Sequence, residues 1–369
     1  MAAQREILQQ LGLLRPGRDP FPKGFPPMLA SPGGKPFTDP DWLFEVKWDG
    51  IRTLAFIKDE GKRREVRLQG RNLTLLTARF PEVVEALSQL PLPFELVLDG
   101  EIVALDEEGK PSFQLLQRRI HVSRKEEIAQ RKAEIPVVYY LFDLLYVNGH
   151  TLLGRPLEER RRALEALIPK DPVVRISEAV YGEGEAFFQA VRDLGLEGMI
   201  AKRLDSCYEP GKRSSSWVKV KLVQRQEAVV GGFTRGRGRR QGTLGALLLG
   251  VYNERGELEY IGHTGSGFND EELHLLLARL HKLQIPSCPF AHRPRTNERP
   301  TWVRPDLVVE VEHGGWTREG ILRFPIYKGI RTDLNPQEVR REQAVHEARF
   351  ARKAASGTPS QRTRPWHGG

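Results

Sequence analysis

Residues 43–52 read Leu-Phe-Glu-Val-Lys-Trp-Asp-Gly-Ile-Arg, and this run constrains the fold more than any other stretch. Its alternation predicts a strand with Phe44, Val46 and Trp48 on an apolar back and Glu45, Lys47 and Asp49 on a charged front. Gly50 then permits a sharp turn, and Arg52 brings a second cation back to the same place. A lysine held among fixed charges becomes a nucleophile when burial or neighbouring cations destabilise its ammonium. The plainer reading is an amphipathic edge strand with a surface lysine.

A length of 369 residues is enough for two domains with separate cores. Charged residues make up 28% and hydrophobic ones 39%, as in soluble globular chains. No apolar run reaches the length of a membrane span, and Met1-Ala-Ala-Gln-Arg-Glu-Ile lacks the apolar core of an export signal. Cys207 and Cys288 cannot form a four-cysteine zinc site and argue against a disulfide framework, so a reducing cytoplasm is expected. The net charge of +9 favours a polyanionic partner, without separating DNA from RNA.

Residues 1–40 are rich in Pro and Gly and read as an irregular lead-in. Strands follow at Thr53–Lys58 and Arg64–Gln69, a hairpin around Asp59-Glu-Gly-Lys62, and at Glu95–Leu105 and Val137–Val147. Arg118–Glu134 reads as one charged helix, and Glu183–Leu194 as a helix stopped by Gly195. In Trp217-Val-Lys-Val-Lys221, Lys219 and Lys221 share one strand face with Val218 and Val220 behind. A boundary is placed after Lys221, giving a first domain over 41–222 and a second over 223–335. The second has strands at Gln226–Thr234, Leu244–Tyr252, Leu258–Gly265, Leu307–Glu312 and Phe324–Ile330. Its helix starts at Asn269, with Glu272 placed as a capping-box acid and Leu273, Leu276, Leu277, Leu280 and Leu283 on one face. Residues 336–355 read as a charged helix, and 336–369 as a helical, then mobile tail. The pattern is α+β: antiparallel sheets with helices, then short strands compatible with a small barrel.

Further segments occur in a fixed order: Gly70-Arg-Asn72, Leu98-Asp-Gly-Glu-Ile102, Tyr140-Leu-Phe-Asp143, Leu196-Glu-Gly-Met-Ile-Ala-Lys202, Trp217-Val-Lys-Val-Lys221 and Arg323-Phe-Pro-Ile-Tyr-Lys-Gly-Ile-Arg331. With the Lys47 motif, this series resembles the ATP-dependent DNA ligases, members of the covalent nucleotidyltransferase superfamily, from about Pro27 to Asn335. It is most similar to the ligase domain of the bacterial end-joining ligases called LigD. The resemblance implies an ATP-grasp-like nucleotidyltransferase domain followed by an OB-fold barrel. It also implies nick sealing by three displacements at phosphorus: lysyl-AMP formation, transfer of AMP to a 5′-phosphate, and attack by a 3′-hydroxyl.

On this resemblance Lys47 is the nucleophile, and Lys219 and Lys221 contact the α-phosphate and crowd Lys47 with like charge. Glu101 and Glu197 are the carboxylates for Mg2+ or Mn2+, hard cations suited to oxygen ligands and phosphates. Each adjoins a glycine read as a strand turn. Phe142 stacks on adenine, Glu45 meets its amino group, and Arg52 and Arg71 reach ribose or phosphate. Arg331 comes from the second domain when the domains close. Arg235-Gly-Arg-Gly-Arg-Arg240 can follow a phosphate backbone or stand as a solvated turn. The implied partners are nicked double-stranded DNA and end-joining proteins such as Ku, for a monomer in the bacterial cytoplasm at the nucleoid.

Two departures stand out. Gly70 occupies a position where the family more often has Ser, and the last motif ends Arg331-Thr-Asp-Leu334 where Lys is usual. Lys328 is the nearby candidate to replace that cation. An RNA ligase or capping-type enzyme, and a non-catalytic nick-binding scaffold, are the alternative readings. End joining and general repair both stay open.

Overall fold

The computed structural model describes residues 2–59, 64–92, 94–120, 122, 124–222, 224–236, 241–296 and 298–342. Two sheets face each other in the N-terminal part, and alternation along their strands decides which side chains meet between them. The first runs in the order Leu29–Pro32, Arg213–Lys221, Gly198–Arg203, Asp39–Val46, Ala179–Gly182. The second runs Arg64–Gly70, Ile51–Asp59, Leu96–Ala104, Val137–Val147, His150–Thr151, with Val174–Ile176 parallel beside Val137–Val147.

Trp42, Phe44, Met199, Ala201, Val218 and Val220 form the outer face of the first sheet, packed on Phe188 of helix Gly184–Asp193. Ile51, Ala55 and Ile57 turn outward from the second sheet against Phe80, Leu116 and Leu164, from three helices and their approaches. The inner faces meet through Met28, Leu54, Phe56, Phe142, Tyr208 and Trp217. Glu45, Lys47, Lys202, Lys219 and Lys221 belong to the inner side of the first sheet. The predicted division into two faces holds for Phe44 and Glu45 within the strand, but the strand ends at Val46, Trp48 turns to Tyr140 of the facing sheet, and the strand is no edge. Asp39–Val46 lies between two partners, so Glu45 is only 2% exposed.

The lead-in is more ordered than composition suggests. Ala2–Gln10 is a helix, Leu8 and Leu13 join the core, and Leu29–Pro32 adds a parallel strand beside Arg213–Lys221. The single helix expected over Arg118–Glu134 is two, Phe113–Ile120 and Lys125–Glu134. The buried Arg119 explains the break, since it donates to the Ile135 carbonyl at 2.7 Å and to Glu82 at 2.6 Å, pinning the second helix back across the first. Helix Leu157–Leu167 was not foreseen.

The C-terminal strands are ordered Leu258–Thr264, Leu244–Tyr252, Arg225–Arg235, Val308–Glu312, Ile326–Ile330, with Thr301–Trp302 beside Arg225–Arg235. The ends curl together where Leu322 donates to Ile261 at 2.8 Å and Tyr327 to Ser266 at 3.0 Å. This closure and the single helix Asp270–Lys282 after the third strand make the OB-fold. The capping box is formed as read: Asn269 Oδ1 accepts from Glu272 N at 2.8 Å and Glu272 Oε2 from Asn269 N at 3.2 Å. Beyond Asn335 the chain makes only a short 3-10 turn, Pro336–Glu338, not a longer helix, as far as Glu342. The rest of the tail, the tip of the Asp59 hairpin, and Arg237, Arg239 and Arg240 lie outside the described residues; Arg235 ends its strand exposed. No helix among the described residues is long and apolar enough to cross a membrane.

Replacing Asn269 by Ala removes one half of the box and frays the helix that plugs the barrel. The urea midpoint should fall by the equivalent of about 1 kcal/mol. An unchanged midpoint would mean that packing of Leu273, Leu276 and Leu280 alone sets this helix start.

Candidate active site

Lys47 leaves strand Asp39–Val46 at the point where Gly198 enters the neighbouring strand, and its N–H donates to the Gly198 carbonyl at 2.9 Å. On the other side of Gly198 a Cβ would strike the Val220 carbonyl, so glycine lets strand Arg213–Lys221 pack close here. The Lys47–Gly198 hydrogen bond sets Glu197 beside Lys47, with Nζ 2.5 Å from Oε1. Lys221, opposite Gly198 in register, lies near enough to act on the same carboxylate. The cations expected to crowd Lys47 are thus interleaved with an acid. Burial pushes Glu197 up, but Lys47, Arg225 and Lys221 outweigh it and hold the carboxyl at about 2.

Glu101 enters from the facing sheet, in register with Arg52. Its neighbour Gly100 is not at a turn but in mid-strand, where the ladder to Val137–Val147 shifts register between Asp99 and Gly100. Burial pushes Glu101 up to about 8, against the pull of Arg52, Lys47 and Arg331. The two acids differ in kind: Glu197 is matched by cations, and Glu101 is a buried carboxyl short of one.

Arg52 is held by Asp99 through Nε at 2.5 Å and Nη2 at 2.7 Å, and Tyr208 donates to the same acid at 2.6 Å. Phe142 lies beneath two cations, with the Arg52 guanidinium 4.4 Å and Lys202 Nζ 4.1 Å from its ring centre. Its ring is 6% exposed and packed, not open to the cleft as adenine stacking would require. Both oxygens of Glu45 are likewise engaged, by Arg161 at 2.5 Å and Lys202 at 2.5 Å. An acid buried on an internal strand needs such partners. Trp48 stacks flat on Tyr140 at 3.7 Å and donates to Ser177 at 3.0 Å.

The OB-fold closes the open side. Arg225 spans Asp49 at 3.0 Å, Glu310 at 3.2 Å and Glu197 at 3.8 Å, tying the lysine motif to the barrel. Arg331 is forked onto Asp333 at 2.9 and 2.8 Å, with Glu310 at 3.6 Å. Gln117 donates to the Ile330 carbonyl at 3.0 Å across the same junction. A Cβ at Gly329 would occupy the place of that amide. Glu227 is buried among Lys219, Lys221, Arg331 and Arg71, which together hold its carboxyl far below the usual range. Lys328 pairs with Glu312 at 3.4 Å on the barrel surface, so Arg225, not Lys328, is the further cation brought to Lys47. Leu334 packs into the barrel core.

Lys219 and Lys221 line one cleft and Arg71 the one beside it, while Lys47, Arg52, Glu101, Glu197 and Arg331 act on one another; Phe142, Glu45 and Lys328 are engaged elsewhere. The residues that sequence reasoning missed are Asp99, Arg161, Tyr208, Arg225, Glu227 and Glu310. Among the described residues no three His, Cys, Asp or Glu side chains form a ready metal cluster. A divalent ion nonetheless suits Glu101, whose carboxyl would release its proton on binding and whose anion the ion would then match. Glu197 could serve as well once Lys47 no longer carries its charge.

A facing pair of sheets with a lysine between carboxylates, roofed by an OB-fold, defines a covalent nucleotidyltransferase architecture. The family described as ATP dependent DNA ligase domain matches residues 27–221, and the ATP dependent DNA ligase C terminal region matches residues 240–334. The chain belongs to the ATP-dependent DNA ligase family. It is 37% identical over 321 residues to the multifunctional non-homologous end joining protein LigD of Mycolicibacterium smegmatis, covering 86% of this chain and 40% of that protein. It is 35% identical over 303 residues to a DNA ligase of Thermococcus fumicolans, covering 80% of this chain and 52% of that one. The chain thus spans about two fifths to one half of the length of these curated relatives. Among solved structures it is similar to mycobacterial DNA ligase D complexed with ATP and MES, with a TM-score of 0.62 at 37% identity, covering 86% of this chain and 98% of that one.

Glu101 gives a pH test. Its carboxyl, raised from 4.5 to about 8, contributes full stability below the lower value and loses it as pH climbs through the upper one. Glu101→Gln, neutral throughout, should match wild type near pH ~5 and melt several degrees higher near pH ~9 in metal-free buffer. Millimolar Mg2+ should raise the wild-type melting temperature and leave the variant unchanged. Equal responses to Mg2+ would remove Glu101 from the metal site.

Proposed function

We propose that this chain seals nicks in double-stranded DNA, joining a 5′-phosphate to a 3′-hydroxyl with ATP as the AMP donor. The observation that carries the reading is Lys47 between two sheets, ion-paired to Glu197, with Arg225 on the same carboxylate, Lys221 opposite Gly198 in register, and Arg331 acting with Lys47 on Glu101. Lys47 Nζ, having lost a proton, forms a bond to the α-phosphorus as the bond to pyrophosphate breaks. Glu197 holds Nζ in place until then. Lys219 and Lys221 neutralise the α-phosphate, and Arg331 and Arg71 meet the departing pyrophosphate. Bound at Glu101, and at Glu197 once Lys47 is adenylated, Mg2+ or Mn2+ would supply further charge neutralisation on the phosphates. Phosphoramidate formation removes the charge on Lys47, which frees Glu197 for that second role.

The likeness to LigD proteins supports a place in end joining, with Ku-type end-binding proteins as partners. A monomer acting at the nucleoid in the bacterial cytoplasm fits a DNA substrate. The domain limits follow the sheets, with the nucleotidyltransferase part extending back to Leu29–Pro32 and the OB-fold beginning at Arg225.

Labelled ATP should leave a covalent AMP on the wild-type protein, passed on when nicked DNA is added. Lys47→Ala should form none while still folding cooperatively, with a melting temperature lowered because Glu197 loses a cation; an adduct of normal yield on it would end the assignment. Arg331 touches the leaving group of the first step alone. Arg331→Ala should therefore slow self-adenylation by about 100-fold and seal pre-adenylated nicks within a few-fold of wild type. Equal loss in both assays would place Arg331 in the fold or in DNA binding instead.

A further inference from the structure

The two lysines of Trp217-Val-Lys-Val-Lys221 already have an anion. Glu342 Oε1 sits on Lys219 Nζ and Oε2 lies 3.2 Å from Lys221 Nζ, one oxygen to each ammonium. This is the arrangement that two non-bridging oxygens of a phosphate would adopt between the same cations.

Glu342 does not reach the lysines from either facing sheet or from the barrel. It arrives on the stretch that follows the 3-10 turn Pro336–Glu338. That stretch is docked at several points. Val339 is buried, and its carbonyl accepts from Tyr252 N at 2.9 Å. The side chain of Gln226 clamps the backbone twice, donating to the Arg340 carbonyl at 2.9 Å and accepting from Glu342 N at 2.9 Å. The Arg341 guanidinium covers the Trp316 ring at 4.2 Å. Glu338–Glu342 thus runs as a strap beside two clefts, one lined by Arg71 and Glu227 and the other by Lys219, Lys221 and Arg225.

Of the other acids near these lysines, Glu197 is held by Lys47, and Glu227 and Glu310 are fixed opposite each other in the barrel sheet and cannot leave without unpairing a strand. Glu342 is held by a few hydrogen bonds on a segment outside any sheet, and is the acid that can be displaced. Resting on the reading that Lys219 and Lys221 receive the α-phosphate, we propose that the 339–342 strap is a built-in competitor for ATP, with the Glu342 carboxylate standing in the α-phosphate position until nucleotide displaces it. The docked strap would keep the lysines charged and spaced while the cleft is empty. It would also weaken binding of any nucleotide in proportion to its docked population.

The test uses the full chain and α,β-methylene-ATP, which binds without transferring AMP, with affinity read by calorimetry. Glu342→Gln keeps the strap's length and backbone bonds but removes the charge. If the strap is docked about nine-tenths of the time, this variant should bind the analogue about tenfold more tightly than wild type. Glu338→Gln, the same charge change at an exposed position on the strap, should stay within about twofold. In single-turnover self-adenylation, Glu342→Gln should need about tenfold less ATP for half-maximal rate and keep the maximal rate. A Glu342→Gln affinity equal to or weaker than wild type would overturn the proposal. So would a fallen maximal rate, which would make Glu342 an organiser of the lysines, or equal tightening in Glu338→Gln, which would make the effect one of general charge. Absence of any AMP adduct on wild type would instead defeat the ligase reading and leave the affinity comparison standing on its own.

Discussion

The contact between Lys47 and Glu197 is the constraint around which the molecule is arranged. It exists because the Lys47 N–H bonds the Gly198 carbonyl, so that the exit of one strand faces the start of the next, while the missing side chain of Gly198 lets the strand of Lys221 pack close on the far side. The carboxylate would be costly to bury alone, and cations from three places converge on it: Lys47 from its own sheet, Lys221 from the next strand and Arg225 from the barrel. Each of these draws in further acids. Asp49 and Glu310 complete Arg225, and Glu342 completes Lys219 and Lys221. The cleft is therefore a lattice of alternating charges, close to balance without a ligand. Glu101 is its exception, a carboxyl that burial keeps protonated well above the usual carboxylate range.

Such a lattice fits chemistry at phosphorus. A polyphosphate would displace internal acids such as Glu342 from cations that those acids keep charged and in place, so the empty cleft stays ordered at a cost in affinity. It also explains why Phe142 and Glu45 are less accessible than their motifs suggest. With Arg52 and Lys202 against the ring of one, and Arg161 and Lys202 on the oxygens of the other, both are closed over by side chains whose charges are already satisfied.

Much of the fold was legible because strand alternation and helix capping are local signals. Val137–Val147, Leu244–Tyr252 and the Asn269 box stand where the pattern puts them. The site was legible where a motif carried it, as for Lys47, Glu101, Glu197, Lys219, Lys221 and Arg331. What escaped was pairing across long separations. Nothing around Arg225 announces that Asp49 lies opposite, because the contact depends on how two domains meet. Arg161 left a faint signal: with Arg160 it falls on the face of helix Leu157–Leu167 that also carries Ala163, Leu164 and Leu167, where a cation needs a buried acid. The lead-in was misjudged for a different reason. Composition reports a shortage of regular structure, but a short parallel strand such as Leu29–Pro32 needs only a neighbour's open edge.

Between Lys221 and Arg225 the chain passes from one sheet to the other, and both residues belong to the cleft. The pivot between the domains is thus made of the groups that the domains bring together. Any swing of the barrel about this point turns Arg225 relative to Lys221, and with it the set of charges around Glu197. On the proposed function, a placement of the barrel that exposes Lys47 to a duplex excludes one that holds a triphosphate under Arg331, so charging the lysine and presenting it would be alternative states of one connection.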